Sequence, residues 1–420
     1  MQRLKKWCDC AVLGQTFAAA PFGQQDAQSV MAVLLWCWRR CSSALRIVLA
    51  TQQPRDQGGH GLVSPLERLD WRAVQWRLKP GRSGRCWCDF GLWHDGLRAI
   101  MRQARQAPSI GNQRATVNCG AMRLIHITDP HLTTLDAWSL AGLRGKRWQG
   151  YLSWQRNRQW QHRRDMLSRL IEAVRAENAA QWLVTGDLAQ IGMPGEIAAA
   201  ADWLRAAGSP ETIFLIPGNH DVYAADSWPA VRTHWAKYLH VETGTDSTDP
   251  AAPYPVVREC AGVALIGLNS ALPTAPFLAR GALGDAQRER LTAVLADVHG
   301  RGLLSVVLIH HPPLPGLTHW RKALADVRAM QALMHALQPG IVVHGHEHRN
   351  FDARCVATRI FATASASSVR AKHFASYRVF DLHRDANGWD ITMTLKQFQP
   401  GPQDAFVIRE QQTWRRDFPM

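Results

Sequence analysis

The chain has 420 residues, 46% of them hydrophobic, and no apolar run approaches 18 residues, so its composition reads as soluble and globular and excludes a membrane-spanning helix. Its formal charge of +15 would point to an anionic partner if it were spread evenly. Residues 1–121 hold 17 Lys and Arg against 7 Asp and Glu, which leaves only +5 for the rest and no charge argument for a nucleic-acid partner.

Residues 1–121 also differ in kind. Seven of the nine cysteines lie there; only Cys260 and Cys355 follow. Two well-separated cysteines in the larger part predict a reducing, cytoplasmic compartment and no disulfide framework. Cys8/Cys10 and Cys86/Cys88 lack histidines at zinc-finger spacing. Lys5-Lys6 and the mildly apolar stretch to Ala20 lack the long core of a secretory signal. With no helix or strand period in it, the segment is expected to have no stable fold of its own. A misplaced start, with Met122 the natural first residue, is a second reading.

From Met122 the pattern is regular. Leu124–Thr128 reads as a strand. Residues 137–164 form a basic, aromatic insertion with Arg144, Lys146, Arg147, Trp148, Trp154, Arg158 and Trp160. It runs into an amphipathic helix with Met166, Leu167, Leu170, Ile171 and Val174 on one face. Gln181–Thr185 and Thr212–Ile216 are predicted strands; 197–207 and 226–239 are predicted helices. Val263–Leu268, Leu304–Ile309 and Ile341–His344 read as strands, interleaved with a helix capped by Asp285 and a helix over 323–337. Val356–Phe361, Tyr377–Leu382 and Trp389–Leu395 then read as strands, the last two joined by a turn at Asp385–Gly388. Strand–helix alternation followed by late antiparallel strands predicts an α/β layered domain.

Five polar clusters follow apolar strands: Asp129-Pro-His131; Gly186-Asp187; Gly218-Asn219-His220-Asp221; His310-His311-Pro312; and Gly345-His346-Glu347-His348. Loops at the carboxyl ends of strands are where open α/β sheets place their sites. In extended chain, Asp129 and His131 would point the same way. Each cluster alone has a bland reading, Asp187 as a turn residue, His126 and His344 as buried strand residues. Either His310 or His311 could be the ligand-type residue. Jointly they offer what two neighbouring cations need, carboxylates and neutral imidazoles. Gly186, Gly218 and Gly345 each precede a ligand type, where a tight turn or close backbone approach is expected.

Together these residues resemble the calcineurin-like metallophosphoesterases, whose ordered signature D-x-H, G-D, G-N-H-[DE], H, G-H-x-H is complete over residues 129–348. The resemblance implies an α/β fold, a two-sheet sandwich flanked by helices in αββα order, over residues 122–400, with 401–420 as a C-terminal tail. It implies two divalent or trivalent metal ions, drawn from Mn²⁺, Fe²⁺/Fe³⁺, Zn²⁺ and Co²⁺. Asp129, His131 and His348 would hold the first, Asp187 would bridge, and Asn219, His310 and His346 would complete the second; alignment at Pro312 favours His310 over His311. His220 would sit by the substrate as acid or charge stabiliser, with Asp221 orienting it.

The implied activity is hydrolysis of a phosphate-ester small molecule. Asn269-Ser270, Gly281-Ala-Leu-Gly284, Gln287 and His310-His311-Pro-Pro-Leu-Pro315 are similar to the cyclic-nucleotide phosphodiesterase branch, which implies in-line attack by a hydroxide activated by both metals. The insertion after Leu132 departs from that branch. It reads either as a solvated helix face or as a lid that grips an anionic substrate or rests on anionic lipid. The lid reading carries an alternative, a pyrophosphohydrolase acting on a nucleotide- or lipid-linked diphosphate at the membrane surface. A scaffold on an inactive phosphoesterase fold is the non-enzyme alternative, although no signature ligand is missing.

Overall fold

The structure, a computed structural model, describes residues 48–50, 75–77, 121–132, 135, 143–241, 249–402 and 404–417. By its contacts the chain divides into two units, Met1–Ala115 and Thr116–Met420. In the first, Val48–Ala50 pairs antiparallel with Gln75–Arg77. The remaining expectations for residues 1–121 lie outside the described residues.

The second unit is built on two six-stranded sheets. In one, the spatial order is Ala405–Asp417, Gly388–Gln399, Ser376–Arg384, Ala121–Ile127, Gln181–Val184, Ile213–Leu215. The last three run parallel and the first three are antiparallel. In the other, the order is Phe351–Cys355, Thr358–Ala362, Ile341–His344, Leu304–Leu308, Val263–Gly267, Val256–Cys260, with the inner four parallel. Continuous apolar runs such as Val263–Gly267 and Leu304–Leu308 suit strands covered on both faces.

Side-chain alternation sorts these strands between two cores. Leu265, Val306, Leu308 and Val343 join Leu124, Leu183, Phe214 and Phe380 of the first sheet in one cluster, the filling between the sheets. Helices Arg164–Ala176, Pro194–Ala207 and Ser227–Leu239 pack into the same cluster. Ala264, Ile266, Val307 and Val342 face the other way, against Leu291, Leu295 and Val298 of helix Gly284–Gly300 and Met330 and Met334 of helix Val327–Leu337. Two sheets between helices is the expected α/β architecture. Among the described residues no helix is long and apolar enough to cross a membrane.

Four local expectations are corrected. Residues 405–417, expected within a tail, form an edge strand whose inward positions include Phe406 and Trp414; its half-exposed pattern hid it from a search for apolar runs. The single strand expected over 356–361 is a hairpin, Phe351–Cys355 with Thr358–Ala362, turning at Val356 with φ +55°. Asp285 does not cap helix Gly284–Gly300. Leu283 and Gly284 N–H donate instead to the Asp326 carboxylate, a cap supplied 42 residues away.

The fourth concerns the insertion, whose described part is helix Lys146–Ser153, a π-helical turn Trp154–Arg158 and a short helix Gln159–Gln161. Its charges are not all outward. Arg147 is buried, donating to Asp226 at 2.7 and 2.8 Å, to the carbonyls of Ile191 and Gly192, and to Ser227. Trp154 is buried too, while Trp148 and Trp160 stay exposed.

Candidate metal centre

Every expected ligand stands just past the carboxyl end of a strand. Asp129 and His131 follow Ala121–Ile127, Asp187 follows Gln181–Val184, and Asn219 follows Ile213–Leu215. His310 follows Leu304–Leu308, and His346 and His348 follow Ile341–His344. Asp129 and His131 are not in extended chain, as expected from sequence, but in left-handed backbone, with φ +51° and +43°. Asp187, His346 and His348 are left-handed as well, at +59°, +73° and +51°. Each such residue costs about 1–3 kcal/mol, strain that collects at functional sites.

Among the ligand groups of the described residues, two share Asp187: Asp129, His131, Asp187 and His348 in one, Asp187, His310 and His346 in the other. In the first, His348 Nε2 lies 3.2 Å from Asp129 Oδ1 and 3.3 Å from His131 Nε2. In the second, His310 Nε2 lies 3.4 Å from Asp187 Oδ2, 3.0 Å from Asn219 Oδ1 and 3.3 Å from His346 Nδ1. His310, not His311, enters the group. Both ring nitrogens of His311 are engaged, at Ser270 Oγ and the Ala279 carbonyl. His126 bridges Thr185 and Thr363, and His344 points at the Gly345 carbonyl; neither joins a group.

The donor set fits metal cations. His131 Nδ1 donates to the Ala189 carbonyl at 3.0 Å and His310 Nδ1 to the Thr185 carbonyl at 2.6 Å. Each Nε2 is therefore the nitrogen turned inward, the orientation that ligating histidines receive from their outer partners. Asp129 Oδ1 and His346 Nε2 are buried with no hydrogen-bond partner. Burial holds His131 and His346 well below the usual histidine range, so both are neutral at pH 7. Burial also disfavours charge on Asp187 and His310, yet they stabilise each other: Asp187 is held well below the carboxylate range and His310 is lifted to about 9. A bound cation must displace that proton.

Close backbone approach sets the glycines. A Cβ on Gly345 would lie 2.0 Å from Thr128 Oγ1 and 2.4 Å from Asp129 Oδ2, while Gly186, at φ +84°, takes a turn that L side chains resist. Gly345→Ala is expected to push Asp129 out of place, destabilising the fold by about 1–3 kcal/mol and lowering metal retention. Melting temperature and metal content measure the two, and unchanged values in both would contradict it.

Asp221 does not orient the His220 ring. Its carboxylate accepts N–H bonds from Asp187, Ala189 and Gly218 at 2.8, 2.9 and 2.8 Å, tying two site loops together. Burial, with Asp187 beside it, raises Asp221 to about 7. The His220 ring is positioned by the Gln190 carbonyl, which accepts from Nδ1, and by the Arg158 guanidinium, 3.0 Å from the ring. Burial, then Arg158, holds His220 down to about 4 even against the opposing pull of Asp187.

Sequence reading missed three residues here. Glu196 accepts N–H bonds from Gln190, Ile191 and Met193 and so fixes the loop that carries Gln190. Arg158, from the insertion, donates to the Gly150 and Gln190 carbonyls, neutral groups that leave its charge acting on the site. His162, also from the insertion, lies with a ring nitrogen within 4.8 Å of those of His131 and His348. None of the three has a spacing signature. His162 alone had a residue-type signal, an imidazole inside a basic stretch.

The family model for calcineurin-like phosphoesterases matches residues 122–350. No curated protein matches the sequence. Among solved structures the chain is similar to a dimetal phosphatase from Danio rerio, at 14% identity and TM-score 0.45, covering 70% of this chain and 98% of that one. It is also similar to GAP50, the anchor in the inner membrane complex of Plasmodium, at 9% identity and TM-score 0.41, covering 71% and 90%.

Proposed function

The chain belongs to the calcineurin-like phosphoesterases, metal-dependent hydrolases acting on phosphoric ester bonds, and from that premise we propose that it cleaves phosphodiesters with two metal ions. The observation that carries the two-metal reading is the single carboxylate, Asp187, shared by both ligand groups. Asp129, His131, His348 and Asp187 would hold one ion; Asp187, Asn219, His310 and His346 the other. Bound there, the cations supply positive charge against the phosphoryl oxygens and make a water acidic enough to act near neutral pH.

The chain's own residues do the positioning. His220 N–H donates to Asp187 Oδ1 at 2.7 Å, which locks the Asn219-His220 turn to the shared carboxylate. With Nδ1–H held by the Gln190 carbonyl, the ring presents Nε2, and Arg158 beside it offers a cation to an equatorial phosphoryl oxygen. Asn269 and Gln287 exchange hydrogen bonds, Asn269 N–H to Gln287 Oε1 and Gln287 Nε2 to the Asn269 carbonyl. Ser270 meets His311 behind the ligand His310. These residues, similar to those of the cyclic-nucleotide branch, support the diester reading as the wall of that branch's site and not as substrate contacts. Free Cys260 and Cys355 suit a cytoplasmic setting.

Stripping the full-length protein with a chelator is expected to abolish hydrolysis, and Mn²⁺, Zn²⁺, Fe²⁺ or Co²⁺ to restore it. Across a bis-aryl phosphodiester, an aryl monoester, cyclic nucleotides and a lipid-linked diphosphate, kcat/KM should favour a diester over the monoester by at least about tenfold, or 1.4 kcal/mol. Preference for the monoester would overturn the diester assignment. Fastest turnover of the lipid-linked diphosphate would favour the pyrophosphohydrolase reading, which exposed Trp148, Trp160 and Phe277 support as a rim able to rest on a lipid surface.

A further inference from the structure

We infer that His162 is an additional protein ligand of the cation held by Asp129, His131 and His348, contributed by the insertion and outside the five ordered motifs. The inference rests on the metal-dependent reading above and deepens it. His162 is buried at the point where the insertion is pinned to the segment after strand Thr358–Ala362: it forms a β-bridge with Ser368, and Arg163 N–H donates to the Ser367 carbonyl at 2.9 Å. Its position is therefore set by backbone bonding on both sides.

The hydrogen bonds around the ring favour one tautomer. Ser365 Oγ donates its only proton to the Asp129 carbonyl, at 2.6 Å. Towards His162 Nδ1, 3.1 Å away, that hydroxyl can only accept, and Ser367 Oγ lies 3.0 Å from the same nitrogen. A hydrogen on Nδ1 suits both hydroxyl oxygens, whereas a bare Nδ1 would face the Ser365 lone pair; that tautomer leaves Nε2 its own lone pair. His131 and His310 are oriented in the same way, each with Nδ1–H on a fixed oxygen. Carbonyl or hydroxyl acceptors behind Nδ1 are the usual support of a ligating imidazole.

Distances agree. The His162 ring centroid lies 4.5 Å from that of His131 and 5.0 Å from that of His348, and one nitrogen of each of the three falls within 4.8 Å of the others. Neighbouring ligands about 2.1 Å from one cation stand roughly 3.0–3.4 Å apart, as His131 and His348 already do at 3.3 Å. A ring present only for packing would gain nothing from three imidazoles converging, since an apolar ring could fill the space without polar atoms to satisfy.

The consequence is unequal ions. One position has three imidazoles and two carboxylates, the other two imidazoles, an amide and the shared carboxylate, so the first should bind a late first-row cation more tightly and discriminate further against Mg²⁺.

The test uses full-length, metal-stripped protein titrated with Co²⁺, reading stoichiometry by mass spectrometry, affinity by chelator competition, and the visible Co²⁺ absorption. In His162→Ala the tighter of the two affinities should fall ten- to a hundredfold with a changed Co²⁺ band, while the weaker changes less than about threefold. A tight affinity within twofold of wild type, with the same band, overturns the inference. Should His162→Ala fail to fold, His162→Phe, which keeps an aromatic ring without a nitrogen, decides: a tenfold or larger loss at the tight position supports His162 as a ligand, and an affinity within twofold of wild type overturns it. Wild-type protein that binds no Co²⁺ at all would instead overturn the metal-dependent reading itself.

Discussion

Asp187→Asn is expected to lower kcat/KM for phosphoester hydrolysis by about 10⁴-fold or more, equivalent to roughly 5.5 kcal/mol of transition-state stabilisation. The carboxylate belongs to both ligand groups, so the substitution weakens two cation positions at once. It also removes the charge opposite His310 and the acceptor strength holding the His220 N–H. Asparagine keeps the shape and one acceptor oxygen, so the fold should persist, with unchanged circular dichroism and a cooperative melt. Activity within tenfold of wild type in a folded, metal-loaded variant would sink the bridging role. If the protein served only as a scaffold, loss of hydrolysis would leave its cellular role intact, which separates the two classes of function.

Asp221→Ala should have the largest effect on stability, about 3–5 kcal/mol, because it strips the acceptor from three buried backbone N–H groups. Those donors belong to Asp187, Ala189 and Gly218, so both site loops lose their tie together. At roughly 2–4 °C per kcal/mol, the melting temperature should drop by about 10 °C, and metal content should fall with it. Asp221→Asn, which keeps one acceptor oxygen but turns an amide N–H₂ against a backbone donor, should lie between. A melting temperature within about 2 °C of wild type for the alanine variant would show that water or a neighbouring group replaces the carboxylate, against this account.

Much of the site was legible because its information is local. Each ligand type sits within a few residues of an apolar strand end, and a glycine precedes three of the clusters; their order matched a family signature, and that resemblance brought out Asp129, His131, Asp187, Asn219, His310, His346 and His348 as one set. The same local logic found the helix face of Met166, Leu167, Leu170, Ile171 and Val174, all of them buried. It failed where a residue's partner lies far along the chain. Asp221 was expected to serve its neighbour His220, but a carboxylate beside three unpaired N–H groups satisfies those first, and the ring finds Gln190. Asp326 caps a helix that begins 42 residues earlier.

The sequence by itself determined the family, the α/β class and the ligand types, since strand periodicity and the chemistry of carboxylate and imidazole are properties of short segments. Tertiary structure alone decided which side chains converge. It turned Arg147 inward as an ion pair, set Arg158 against His220, and brought His162 from the basic insertion to the rings of His131 and His348. A charge or an imidazole in a basic stretch looks solvated until the packed chain removes water from around it. Burial then requires each polar atom to find a partner, and those partners lie far apart in the chain.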